Sequence, residues 1–255
     1  PFFFQTISIS CSLSWRIWGI RLSQSNTGHA IVCIGYEKTR DNGNNINYTS
    51  IGNHQVANTA DLIDNYVYMD DNQYPFVTQK FDEFKYLNDS TRIKYFIAPL
   101  YKRIFLDASD SFATFYHILK VVIFGLCNNE SSDKKFINLI FLTSSRNYKA
   151  SRFNSLGRKT FELINELPLP KFLWICEITT PELYNQNKAC GEIVLDATAS
   201  ASEKYNQIVF IRYPTKMARK VLDENIEMLK KYFDKNYLGL EPNFAMFASN
   251  LVEIS

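Results

Sequence analysis

A histidine that opens one extended run and a pair of aspartates that closes the next are the residues of this chain whose types and spacing point to chemistry. The first run is Gly28-His29-Ala-Ile-Val-Cys-Ile-Gly35-Tyr36, and the second is Tyr66-Val67-Tyr68-Met69, followed by Asp70-Asp71-Asn72. An imidazole set just after a glycine at the start of a strand reaches into a cleft at the sheet edge. A carboxylate at the end of the neighbouring antiparallel strand then lies close enough to hydrogen-bond one ring nitrogen. That is the base-and-orienter half of a nucleophilic triad, in which the acid fixes the imidazole tautomer and stabilises the imidazolium. Adjacent aspartates point to opposite faces of an extended chain, so only one of Asp70 and Asp71 faces His29. Strand parity favours Asp70, and Asp71 stays open as the alternative.

The pattern resembles the papain-like cysteine peptidases, and within them the C39-like branch, whose histidine opens a strand of the form G-H-A-x-x-x-x-G-Y. Gly28, His29, Ala30, Gly35 and Tyr36 match that form, and the resemblance extends over residues 1 to 75. It implies a thiol hydrolase, either a peptidase or an amide transferase, acting on a peptide or protein substrate. In it His29 is the general base and acid, and Asp70 or Asp71 the orienter. The chain departs from the family at the nucleophile. In papain-like enzymes the reactive cysteine precedes the histidine by many tens of residues, at the N-terminus of a helix whose dipole lowers the thiol pKa. Here 28 residues precede His29, and the sole cysteine among them is Cys11, in the strand-like context ISISCSLSW. Cys33 shares the His29 face of a regular strand and reads as a small core residue. Residue 1 is Pro, not Met, and PFFFQTISIS reads as a strand. The nucleophile-bearing helix is therefore expected upstream of this sequence, and the chain as it stands is expected to lack thiol-protease activity. The alternative is a non-catalytic papain-fold module that binds peptides or regulates.

The elements that must position these residues give an α+β fold class. An antiparallel sheet of a papain-like module is expected over residues 1–98, and a second mixed α+β domain of unassigned role over 99–255, with the boundary near Pro99. His29 to Tyr36 alternates as a strand, with Ala30, Val32, Ile34 and Tyr36 on one face, and Ile63 to Met69 makes its antiparallel partner. Further on, Asp110 to Leu126 has helical spacing with Ser109 or Asp110 as its cap. Phe136 to Leu142, Phe172 to Ile178, Gly191 to Ala197 and Gln207 to Tyr213 read as strands, the last two as a hairpin. A helix is predicted within Arg152 to Glu166, and an amphipathic one over Thr215 to Tyr237. The polar run Ser144 to Lys149, with Arg152, reads as a strand-to-helix loop with solvated basic residues; the competing reading is an anion cradle at a helix N-terminus. Glu192 and Asp196 share a strand parity and read as a solvent-facing stripe.

Composition narrows the function classes. The chain has 255 residues, 46% hydrophobic and 15% aromatic, which is ample for a buried core and excludes disorder. Its 28 basic against 26 acidic residues lack the basic footprint of a nucleic-acid binder, so no nucleic-acid partner is expected. No run approaches the ~18 apolar residues of a spanning helix, and no membrane association is expected. Five cysteines, odd in number and without a CxxC pair, argue against a disulfide scaffold and a zinc knuckle. They point to a reducing, cytoplasmic compartment. With no Cys or His at ligand spacing, neither a metal nor a cofactor is expected.

Overall fold

The computed structural model describes residues 18–24, 27–38, 46–51, 54–69, 77–79, 93–97, 100–120, 134–200, 206–213, 216–219 and 243–247. In chain order the first strands are β1 (Trp18–Gln24), β2 (Thr27–Lys38), β3 (Thr49–Ile51), β4 (His54–Asn58), β5 (Ile63–Met69), β6 (Val77–Gln79) and β7 (Ile93–Ile97). Then come helix α1 (Ala108–Ile118), strand β8 (Lys135–Ser144), helices α2 (Ser145–Ser155) and α3 (Arg158–Asn165), strand β9 (Phe172–Thr179) and the short helix α4 (Pro181–Tyr184). The last strands are β10 (Lys188–Ala189), β11 (Gly191–Asp196), β12 (Ile208–Tyr213), β13 (Lys216–Arg219) and β14 (Phe244–Ala245). The fold class is α+β, as the sequence indicates.

These elements fall into two compact units. One contains β1, β2 and β5–β7, an antiparallel sheet in the order β6-β5-β2-β1-β7. The other contains β3, β4 and the elements from α1 onward, with a sheet in the order β13-β12-β11-β9-β8-β4-β3. The last crossing between units falls at Lys102/Arg103. The β3–β4 hairpin belongs to the larger unit. Its reason is local: Val56 and Ala57 are buried, and β4 pairs in parallel with β8, Val56 opposite Phe136 and Ala57 opposite Ile137.

Within the smaller unit β2 and β5 pair antiparallel, as expected, and β5 has the bounds read from the sequence. The ladder runs Val32 to Met69 and Cys33 to Tyr68, then skips to Gly35 opposite Val67 and Tyr36 opposite Tyr66. One extra residue on β2 makes a bulge there, which resets the alternation. The single uninterrupted face expected from Ala30 to Tyr36 is therefore broken, and Cys33 and Tyr36 lie opposite Tyr68 and Tyr66, two residues that share one face of β5.

The larger sheet carries a core on both sides, which is why its strands read as nearly continuous apolar runs. All eight residues of β9 are buried. On one face Leu139, Phe141, Leu173, Ile175, Val194 and Phe210 pack with Tyr148 of α2 and Ile164 of α3. The opposite parity of β9 carries Trp174, fully buried, whose indole N–H donates to the Leu106 carbonyl at 3.0 Å. Helix α1 starts earlier than expected, because the Asp107 side chain accepts from the Asp110 amide at 2.8 Å and caps it. The stretch Arg152 to Glu166 holds the predicted helix as α3 and, at its start, the end of α2. Leu156 is extended and Gly157 caps α3, which breaks the run. The helix predicted from Thr215 is contradicted at its start, where Lys216–Arg219 forms β13 against β12; residues 220–242 lie outside the described residues.

Gly191 marks a tight backbone approach in this sheet. A Cβ there meets the Arg212 carbonyl oxygen at 2.9 Å and Tyr213 Cδ2 at 2.9 Å. The first contact is main chain and cannot swing aside. Gly191→Ala is expected to cost about 1–3 kcal/mol in urea unfolding, the usual range for overpacking.

Candidate functional site

His29 is the third residue of β2 rather than its first, and it pairs with Leu22 of β1. On the other flank of β2 the ladder with β5 ends at Met69 opposite Val32. That is three residues short of His29, or about 10 Å at ~3.3 Å per residue. The β5 chain thus leaves its strand at the same end of the sheet at which β2 carries His29. Asp70 and Asp71 follow directly in sequence and lie outside the described residues.

The two buried cysteines, Cys176 and Cys190, are poor nucleophiles. Cys33 is half-buried and opposite Tyr68, four residues along β2 from His29. Burial raises the Tyr68 hydroxyl pKa, and the neighbouring Cys33 and Tyr66 raise it further. Cys176 is fully buried, and burial followed by the Glu177 charge pushes its thiol pKa well up. Cys190 is buried too, its thiol donating to the Ile178 carbonyl at 3.4 Å. A reactive thiolate needs an electropositive, partly exposed setting, and neither buried thiol has one.

A second constellation, which the sequence reading did not assemble, lies in the larger unit. In register across adjacent strands stand Glu177 on β9, Glu192 on β11 and Arg212 on β12, flanked by Leu139 and Met217. Helix α2 lays Tyr148 and Arg152, one turn apart, over that row. Arg152 donates through Nη2 to Glu177 at 2.5 Å and to Glu192 at 2.7 Å, and through Nε to Glu192 at 3.1 Å. Arg212 donates through Nε and Nη2 to the other Glu192 oxygen at 3.0 and 2.9 Å, and the Tyr148 hydroxyl reaches that oxygen at 2.9 Å. Glu177 is completed by the Phe247 amide, which points at both carboxylate oxygens at 3.0 and 3.1 Å.

Two cations and two anions make this cluster neutral, and all four side chains are essentially excluded from solvent. Like charges directly opposite on neighbouring strands repel, and the Arg152 guanidinium between Glu177 and Glu192 removes that conflict. Burial pushes the Glu192 carboxyl upward, but Arg152 and Arg212 pull it further down, and it sits below the ordinary carboxylate value. Burial dominates at Glu177, which shares its one guanidinium with Glu192, and its carboxyl sits above that value. Tyr148 is held protonated, first by burial and then by the Glu192 charge.

These placements revise three readings. Glu192 is not part of a solvent-facing stripe but is fully buried, while Asp196, of the same parity, is half-exposed and accepts from the Thr198 amide and hydroxyl at 2.7 and 2.6 Å. Arg152 is not solvated. Ser144 to Lys149 is not a loop but the start of α2: Ser144 caps the helix by accepting from the Asn147 amide at 3.2 Å, and Lys149 donates to the Asn165 carbonyl at 2.9 Å. The signal for the cluster was present in FLWICEI, GEIVLDA and QIVFIRY, three successive apolar runs that carry Glu177, Glu192 and Arg212.

No group of three or more His, Cys, Asp or Glu side chains among the described residues is arranged to hold a metal ion. No helix among them is long and apolar enough to cross a membrane. A scan against protein-family models and searches of curated proteins and of solved structures return no match.

Proposed function

We propose that the five-stranded unit carries the base-and-orienter half of a papain-like, C39-like thiol hydrolase acting on a peptide or protein substrate. His29 takes the proton of an attacking thiol and returns it to the leaving amine. Asp70 or Asp71 holds the imidazole in the required tautomer. One observation carries this reading: the antiparallel β2–β5 ladder ends with Met69 three residues short of His29, so β5 ends at the His29 end of the sheet. The GHAxxxxGY match around His29 supplies the family. The burial of Cys176 and Cys190 supports the second reading, a papain-fold module that binds peptides without cleaving them.

The chain has three histidines, so the His29 signal is separable by NMR. A carboxylate partner favours the imidazolium. One of Asp70→Asn and Asp71→Asn is therefore expected to move the His29 titration to lower pH, and the other to leave it in place. Two silent variants would remove the orienter and with it the triad reading. Labelling by chloroacetamide then separates hydrolase from binding module. A cysteine whose labelling slows in His29→Ala marks the nucleophile, whereas slow labelling that ignores His29 marks a non-catalytic module.

A further inference from the structure

Residues Phe244–Phe247 lie against the buried ions of the larger unit and meet them with both backbone and ring. We infer that this segment is a strap in a peptide-binding groove between β10 and the ion cluster, and that the groove accepts an extended segment with phenylalanines three positions apart, which Phe244–Phe247 supplies in cis.

Each contact of the strap is of a kind that a separate peptide can make. Strand β14 pairs antiparallel with β10, Ala245 opposite Lys188 and Phe244 opposite Ala189. The Met246 amide extends the pairing to the Asn187 carbonyl at 2.8 Å. This is strand addition to a sheet edge, in which the main chain gives affinity and alternate side chains give specificity. Asn187 shapes that edge by adopting a left-handed backbone, φ 54°, which asparagine tolerates better than most residues. Two pockets read the side chains. The Phe244 ring lies 3.7 Å from the Arg212 guanidinium carbon and 4.6 Å from that of Arg152, a cation–π contact removed from water. The Phe247 ring stacks on Phe141 at 4.6 Å. Between the rings, Ala245 is exposed and its carbonyl accepts from Arg152 Nη1 at 3.4 Å, while the Phe247 amide is received by Glu177. The motif read is thus Phe-x-x-Phe, with the first intervening side chain unread.

Beneath Phe244 and the strap backbone the floor is charged, which distinguishes that half of the groove from ordinary core packing, while Phe247 packs with the apolar cluster that includes Phe141. An apolar floor stripped of its strap exposes oily surface to water. Here departure of the strap lets water hydrate Arg152, Arg212 and Glu177, while the ion pairs from Arg152 to both glutamates and from Arg212 to Glu192 persist within the floor. The empty groove keeps its shape, and the strap opens without unfolding the sheet. Its backbone ladder is only two residue pairs long, which sets a low cost for opening.

Two measurements on the full chain test this. In hydrogen exchange of the wild type, the Met246 and Phe247 amides are expected to exchange at least ~100-fold faster than the sheet amides of Ile175 and Val194, through local opening. Exchange of all four at one common rate would overturn the proposal. In the second, a fluorescent peptide with the sequence of residues 243–247 is titrated into the Phe244→Ala/Phe247→Ala chain, whose own strap has lost both anchors. One-to-one binding is expected, at least tenfold tighter than to the wild type, and lost when either phenylalanine of the peptide is replaced by alanine. A folded double variant that ignores the peptide would overturn the proposal, and if that variant does not fold, the wild-type exchange rates decide alone.

Discussion

Glu192→Ala is expected to destabilise the larger unit by about 3–5 kcal/mol, the range for removing one member of a buried ion cluster. The carboxylate accepts from Tyr148, from two nitrogens of Arg152 and from two of Arg212. Its removal leaves two buried guanidiniums facing one remaining carboxylate, and Arg212 keeps only the Phe244 ring among the partners described above. Arg152 is driven toward neutrality by burial and held charged by Glu192 first and Glu177 second, so the loss of Glu192 falls on its stronger support. Glu192→Gln keeps the shape but not the charge, and it is expected to recover only a minor part of the loss. Urea unfolding followed by tryptophan fluorescence reads the effect, because Trp174 lies fully buried on β9 beside β11. A loss under about 1 kcal/mol for Glu192→Ala would mean that water enters the cluster and replaces the carboxylate.

The same cluster shows what could be read in the sequence and what could not. Period-two alternation located β2 and β5, and near-continuous apolar runs bounded by turn residues located β9, β11 and β12, because a strand buried on both faces loses the alternation. The bulge in β2 escaped, since an inserted residue is defined by its partner strand and not by its own. The β3–β4 hairpin escaped for a similar reason: HQVAN carries no mark of a parallel partner eighty residues on. Glu192 was read as a surface residue because an isolated carboxylate in an apolar run is ordinarily the solvent side of a strand. Burial became affordable only when β9, β11 and β12 stood in register and α2 delivered a guanidinium between two carboxylates. Of the candidate triad, the strand pair that positions His29 was legible. The side of β5 from which its acid would approach rests on Asp70 and Asp71, which lie outside the described residues.

Arg152→Met is expected to be at least as damaging as Glu192→Ala at neutral pH, about 3–5 kcal/mol, and unlike it to be partly rescued by acid. Without the guanidinium, Glu177 and Glu192 face each other in register on adjacent strands with nothing to separate their charges. Glu192 keeps Arg212 and Tyr148 and stays ionised, so Glu177, already above the ordinary carboxylate value through burial, is driven higher. A carboxyl whose folded pKa exceeds its unfolded value of ~4.3 contributes stability that is fully present below that value and lost as pH rises through the folded one. Glu192 has the opposite sign: its contribution is present above the ordinary value and fades only as pH falls through its depressed folded one. As pH falls from neutrality toward the ordinary carboxylate value, the Glu177 effect therefore acts with little opposition from Glu192. The difference between wild type and Arg152→Met in urea unfolding is expected to narrow steadily over that interval, as Glu177 takes up a proton and the repulsion disappears. A difference that stays constant with pH would assign the loss to the packing of the arginine stem and its Tyr148 and Phe244 contacts, and would remove the charge-separating role of Arg152.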